Sequence, residues 1–99
     1  MMQYRFDAEA DRELNEALRF YDDRSPGLGR VFLMDLHATL QNPLTFPLAA
    51  PIRFLNLRVK QLRKFSYSLI YAINDETLIV YAVMHQKQRP GYWLNRITH

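Results

Sequence analysis

The chain has 99 residues, 48% hydrophobic and 23% charged, which is the composition of one folded domain and excludes a disordered chain. It has no cysteine, so a disulfide framework and any thiolate metal site are excluded. The net charge of +3 is unevenly placed: residues 1–49 hold five basic and eight acidic side chains, whereas residues 50–99 hold eight basic and two acidic ones.

Gln3-Tyr4-Arg5-Phe6 alternates polar and aromatic residues and predicts a short strand. Asp7 stands where an N-cap belongs, before a helix over Ala8 to Arg24. Ala10, Leu14, Ala17, Leu18 and Tyr21 form its apolar face, and Arg12/Glu16 and Arg19/Asp23 are opposite-charge pairs on the other. Ser25-Pro26-Gly27 breaks this helix, with Ser25 placed to cap the next. Leu28, Phe32, Leu36 and Leu40 recur every four residues through that second helix, which Asn42-Pro43 is expected to end. The two form a helical hairpin. Pro43, Pro47 and Pro51 mark an irregular connector.

From Ile52 onward the period changes to two. Arg58–Leu62, Phe65–Ile73 and Thr77–Met84 predict three strands, with a turn at Asn74-Asp75-Glu76. The last two are apolar on both faces, as strands covered on each side are. Pro90-Gly91 precedes a short helical or irregular tail, Tyr92 to Ile97. The expected fold is α+β in the order β-α-α-β-β-β, a helical hairpin on a small antiparallel sheet, with residues 1–99 forming a single domain.

The longest apolar run, Leu78–Met84, is far short of the ~20 residues of a membrane helix. No secretory h-region follows Met1, so a soluble, cytoplasmic protein without membrane contact is expected. Gly27 and Gly29 are turn glycines, not a nucleotide fingerprint. His37, His85 and His99 have no metal-ligand spacing, so no metal or cofactor is expected.

Two constellations remain. Arg58, Lys60, Arg63 and Lys64 precede Tyr67 and Tyr71. Cations beside aromatic rings suit RNA, where they take phosphates and stack on bases, or an acidic protein segment. The same residues also fit a charge-protected edge strand over core tyrosines. The second constellation is the tail, where His85, Arg89, Trp93 and Arg96 cluster. His85 suits proton transfer, and Arg and Trp suit interface anchoring. Equally, Trp93 suits closure of the core, and the arginines must be either exposed or ion-paired.

Several pieces spanning residues 3 to 97 together resemble the RelE/ParE toxins of bacterial toxin–antitoxin modules. They are Ala10-Asp11-Arg12-Glu13-Leu14, the break at Tyr21…Ser25-Pro26, and the helix end at Leu40…Pro43. Phe65-Ser66-Tyr67-Ser68-Leu69-Ile70-Tyr71 and Val83-Met84-His85…Arg89-Pro90…Trp93…Arg96 complete the match. The resemblance implies the fold already read from periodicity. It also implies one of two activities: RelE-like members cut mRNA in the ribosome with basic sheet residues and no metal, while ParE-like members inhibit DNA gyrase by binding. Where the RelE-like motif has a basic residue after its strand tyrosine, this chain has Ser68. Val59 and Gln61 occupy two further cation positions, with Arg58 and Lys60 one residue off and so on the opposite face.

The tail is more similar to the ParE-like side. The resemblance therefore implies a gyrase-binding toxin that inhibits growth and stabilises plasmids. His85, Arg89, Trp93 and Arg96 would meet the target. A cognate antitoxin would form a hetero-oligomer on Leu28, Phe32, Leu36, Arg58, Lys60 and Arg63. The alternatives are a ribosome-dependent mRNA endoribonuclease using Arg58, Lys60, Arg63, His85 and Arg89, or a non-toxic interaction module on the same fold.

Overall fold

The computed structural model describes residues 2–97. Strand β1 (Gln3–Phe6) leads into helix α1 (Ala8–Arg24), which turns back as helix α2 (Leu28–Thr45). Strands β2 (Leu57–Gln61), β3 (Tyr67–Asn74) and β4 (Thr77–His85) follow, then a 3₁₀ turn at Leu94–Arg96. The sheet order is β1-β4-β3-β2. The three C-terminal strands are antiparallel as expected, but β1 joins β4 in parallel, so the four-stranded α+β sheet is mixed.

The Asp7 carboxylate caps α1 by accepting the Glu9 N–H at 3.2 Å. Ser25 does not cap α2 but closes α1, its N–H donating to the Tyr21 carbonyl at 3.0 Å. The capping of α2 comes from the preceding helix: Asp22 Oδ1 accepts the Gly29 N–H at 2.9 Å, satisfying one of the unpaired donors of the first turn. Pro43 does not end α2, which runs two residues further to Thr45. A proline so near the C-terminus forfeits a single ladder bond, and its ring is fully buried.

Gly27 lies in the turn as expected, but Gly29 does not: it sits in the first turn of α2, where the two helices cross closely. A Cβ there would lie 2.7 Å from the Leu18 carbonyl oxygen and 2.9 Å from the Asp22 side chain. Because a backbone atom blocks it, the hairpin must open to admit a methyl group. Gly29→Ala is expected to cost about 1–3 kcal/mol despite alanine's better helix propensity, read as a lowered midpoint of thermal or urea unfolding.

Apolar residues fill two cores, one on each sheet face. The hairpin covers the first, where Phe32, Leu36 and Leu40 meet Leu69, Tyr71, Leu78, Val80 and Val83. Tyr21, Phe32, Phe65 and Tyr67 form an aromatic cluster at its end, with ring centroids 4.9 Å apart for Tyr21–Phe65 and 5.0 Å for Phe32–Tyr67. The tail covers the second, where Trp93 packs with Leu57, Ile70, Ala72 and Ala82. A β-bulge makes both sides of β4 apolar: Tyr71 pairs with Val80 but Ile70 pairs with Ala82, leaving Tyr81 as the extra residue. The alternation shifts there, so Leu78, Val80 and Val83 share one core.

Buried Asp35 on α2 holds the β2–β3 turn. Its carboxylate accepts the Lys64 N–H at 2.8 Å and the Arg63 N–H at 3.3 Å.

Candidate functional site

Strand β1 covers only the first half of β4. Its last residue pairs with Val80, and the Asp7 N–H donates to the Val80 carbonyl at 2.8 Å. There the chain turns off into α1 and leaves the rest of the β4 edge without a strand. Unpaired backbone groups at partial burial are costly, and side chains complete this edge instead. Glu13 Oε1 accepts the Val83 N–H at 3.0 Å, and the Arg96 guanidinium donates to the Tyr81 carbonyl at 2.9 Å.

Glu13 and Arg96 also bind each other through two parallel hydrogen bonds, Nη1–Oε1 at 2.9 Å and Nη2–Oε2 at 3.1 Å. Their side chains are 9% and 10% exposed respectively, so the pair is nearly dry. The Tyr92 hydroxyl donates to Glu13 Oε2 at 2.5 Å, and the Arg96 guanidinium lies 5.1 Å from the centre of the Tyr92 ring. Burial disfavours the charged guanidinium, but the Glu13 hydrogen bond and charge outweigh it and hold Arg96 above the usual arginine value. Burial, reinforced by Glu13, raises the Tyr92 phenol well above its ordinary range. Thus one carboxylate on α1 fastens the tail, 83 residues later in the chain, to the open half of β4.

Beside this knot lies a groove of about 500 Å³, lined by Arg12, Glu16, Phe20, Tyr67, His85 and Gln88 together with Glu13, Tyr92 and Arg96. His85 ends β4, and its ring stands edge-on to Tyr67 with centroids 4.9 Å apart. Its Nδ1 accepts the Lys87 N–H at 3.0 Å, so the neutral ring carries its proton on Nε2. The Tyr67 hydroxyl is pushed up to about 12, chiefly by burial and then by Tyr21 and the Glu13 charge. It therefore stays a phenol at neutral pH.

The four expected target-binding residues occupy different settings. His85 and Arg96 line the groove, Arg96 with its charge matched by Glu13. Arg89 is exposed on the turn between β4 and the tail. Trp93 is buried in the second core. Lys60 lines separate hollows along β2. Arg58 is drawn to the connector, donating to the carbonyls of Leu48 and Ala50. It pairs with Tyr71, whereas His85 pairs with Tyr67, four residues along β3 and on the order of 13 Å away. Arg63 is exposed in the turn held by Asp35.

The apolar hairpin surface expected around Leu28, Phe32 and Leu36 is corrected by the structure. Phe32 and Leu36 are completely buried, and only Leu28 keeps partial exposure. A spacing of four on an amphipathic helix marks the face turned to the sheet, so Phe32 and Leu36 are core, and only the half-buried Leu28 is left at the surface. Glu13 carried no signal in the sequence. It sits among charged neighbours on the polar side of α1, and only the returning tail gives it a role. Among the described residues, no cluster of histidine and acidic side chains suits a metal, and no helix is long and apolar enough to cross a membrane.

Residues 4–90 match the family model described as the ParE toxin of the type II toxin–antitoxin system parDE. Among solved structures, one described as the chromosomal ParDE toxin–antitoxin system from P. aeruginosa superposes with a TM-score of 0.71. The sequences are 14% identical, and the match covers 86% of this chain and 96% of that one. At that identity the superposition speaks for the fold. Curated protein sequences yield no match. The family model spans the strand, both helices, the remaining sheet and the turn bearing Arg89, and on that match the chain belongs to the ParE toxin family of type II toxin–antitoxin systems.

Proposed function

We propose that this chain arrests growth by binding DNA gyrase directly, with no chemical step of its own, and that a cognate antitoxin neutralises it in a hetero-oligomer. The observation supporting this reading is the dispersal of its cations. Cutting RNA without a metal requires cations on the phosphate and a proton-transfer group at one point. Here Arg58 is engaged with connector carbonyls, Arg96 is matched by Glu13, Arg12 in the groove with His85 is ion-paired with Glu9 and Glu16, and Lys60 lines other hollows than His85. Ser68, at the motif position after Tyr67, is buried. Binding, by contrast, needs only a shaped surface with an exposed anchor. The turn carrying Arg89 beside the groove provides one, and arginine is prominent among residues that dominate interface energies.

The purified protein is expected to inhibit gyrase supercoiling and to leave mRNA intact on translating ribosomes. Arg89→Ala should weaken inhibition at least ~10-fold while its melting curve and antitoxin binding stay at wild-type values. Codon-position-specific mRNA cleavage would replace this reading with the endoribonuclease one. Undiminished inhibition by the Arg89 variant would remove that residue from the contact.

A further inference from the structure

The groove between α1 and the end of β4 is a space the fold leaves unfilled. Its volume of about 500 Å³ admits a whole aromatic side chain. Buried Ala17 and Val83 give it an apolar floor. Two rings stand at its sides: Tyr67, half-buried, and Phe20, which is 47% exposed although it is among the largest apolar side chains of α1. Aromatic rings held this way favour another ring between them, in offset or edge-on contact.

The polar groups at the groove narrow the choice of occupant. Both arginines that line it are already matched. Arg96 is held by Glu13, and Arg12 by Glu9 at 2.7 Å and Glu16 at 2.9 Å. Arg24, which does not line the groove, lies over the Phe20 ring, 4.5 Å from its centre. A phosphate entering the groove would therefore meet no free cation. Two groups keep capacity for a partner. The Lys87 N–H occupies His85 Nδ1 and so fixes the neutral imidazole as an Nε2–H donor, for which no acceptor exists among the described residues. Glu16 bonds Arg12 through Oε1 alone, which leaves Oε2 as an acceptor.

One donor and one acceptor are together satisfied by a hydroxyl, which both accepts and donates. A guanidinium has donors only and would leave the His85 N–H unpaired. A phosphate has acceptors only and would face the Glu16 carboxylate. We propose that the groove receives a tyrosine side chain of a partner protein, its ring against Phe20 and Tyr67, its hydroxyl accepting from His85 Nε2–H and donating to Glu16. Resting on the reading above, that partner is gyrase.

The test titrates the full-length protein, followed by NMR, with N-acetyl-tyrosine amide, N-acetyl-phenylalanine amide, N-acetyl-arginine amide and inorganic phosphate. The tyrosine probe should shift the resonances of Phe20, Tyr67 and His85 and bind about 5-fold more tightly than the phenylalanine probe, which lacks the hydroxyl. The arginine probe and phosphate should leave those resonances in place. His85→Asn keeps a side-chain acceptor for the Lys87 N–H but loses the donor at the far side of the ring. It should abolish the preference for tyrosine and weaken gyrase inhibition about 5-fold. His85→Gln, whose amide reaches further and restores a donor, should keep most of both. Phe20→Ala should weaken probe binding and inhibition at least ~5-fold. The wild-type titration keeps the proposal testable if a variant folds poorly. No groove shift from the tyrosine probe, equal binding of the tyrosine and phenylalanine probes, or a preference for arginine or phosphate overturns it. So does full inhibition of gyrase by both Phe20→Ala and His85→Asn, which leaves the gyrase reading standing. A wild-type protein that takes the tyrosine probe as described and does not inhibit gyrase overturns the gyrase reading and supports the tyrosine site.

Discussion

Replacing Glu13 by alanine is expected to lower stability by about 3–5 kcal/mol, the cost of leaving a buried charge without its partner. Arg96 would then lose the carboxylate that neutralises it directly, keeping the Tyr81 carbonyl and the weaker influence of Glu9, and the Tyr92 hydroxyl and Val83 N–H would lose their acceptor. Against a total stability on the order of 5–15 kcal/mol, that is a large share of what holds a domain of this size folded, and at the low end of the range it brings the variant close to unfolding. Arg96→Ala should cost a similar amount, since it leaves the carboxylate unpaired. The double variant should cost less than the sum of the two, by about 1–3 kcal/mol, because the second substitution removes the stranded charge. Urea unfolding of the four proteins measures this directly. Strict additivity would show that the pair is not coupled.

Trp93→Ala is expected to cost at least ~3 kcal/mol, because it empties the largest side chain from a core that has few others. The second core holds Leu57, Ile70, Ala72 and Ala82 in its buried part, and two of those are alanines with little capacity to collapse into the space. Toxicity should vanish together with the cooperative thermal transition, in contrast to Arg89→Ala, which should affect toxicity without affecting the melt. Trp93→Phe should cost under ~2 kcal/mol. The indole Nε1–H is buried with no acceptor among the described residues, so phenylalanine removes an unsatisfied donor while keeping most of the apolar volume. A stable Trp93→Ala protein that is non-toxic would move Trp93 from core to target contact.

Periodicity alone revealed the order of elements, because each helix and strand has a strongly patterned face. The bounds of α1 were readable from Asp7 and Ser25. What escaped was set by contacts distant in sequence. Parallel pairing of β1 with β4 depends on the hairpin bringing residue 3 beside residue 77, which four residues of alternating pattern do not encode. Helix α2 passes Pro43 because the tertiary burial of its ring outweighs one lost bond. In the site, the alternatives for the tail arginines were legible and the choice between them was not: Arg96 pairs and Arg89 stays exposed because Glu13 reaches only one of them. The stripe at Leu28, Phe32 and Leu36 was visible as apolar, but its direction depended on where the sheet lay.

The pairing of the first strand with the last has a kinetic side. Gln3 sits opposite Thr77, and Glu13 meets Arg96, so the contacts that complete the sheet edge are among the most distant in the chain. Such non-local pairing bears the entropy of a long loop before it gains stability, and it slows folding. At a synthesis rate of roughly 5–20 residues per second, β1 waits about 4–15 s for its partner to be made. The helical hairpin forms from local contacts in that interval, with the Phe32 and Leu36 face still uncovered. The groove beside His85 needs β4 and the tail as well as α1. A growing chain therefore has no groove until it has been made past Arg96, so that surface is among the last features of the fold to form.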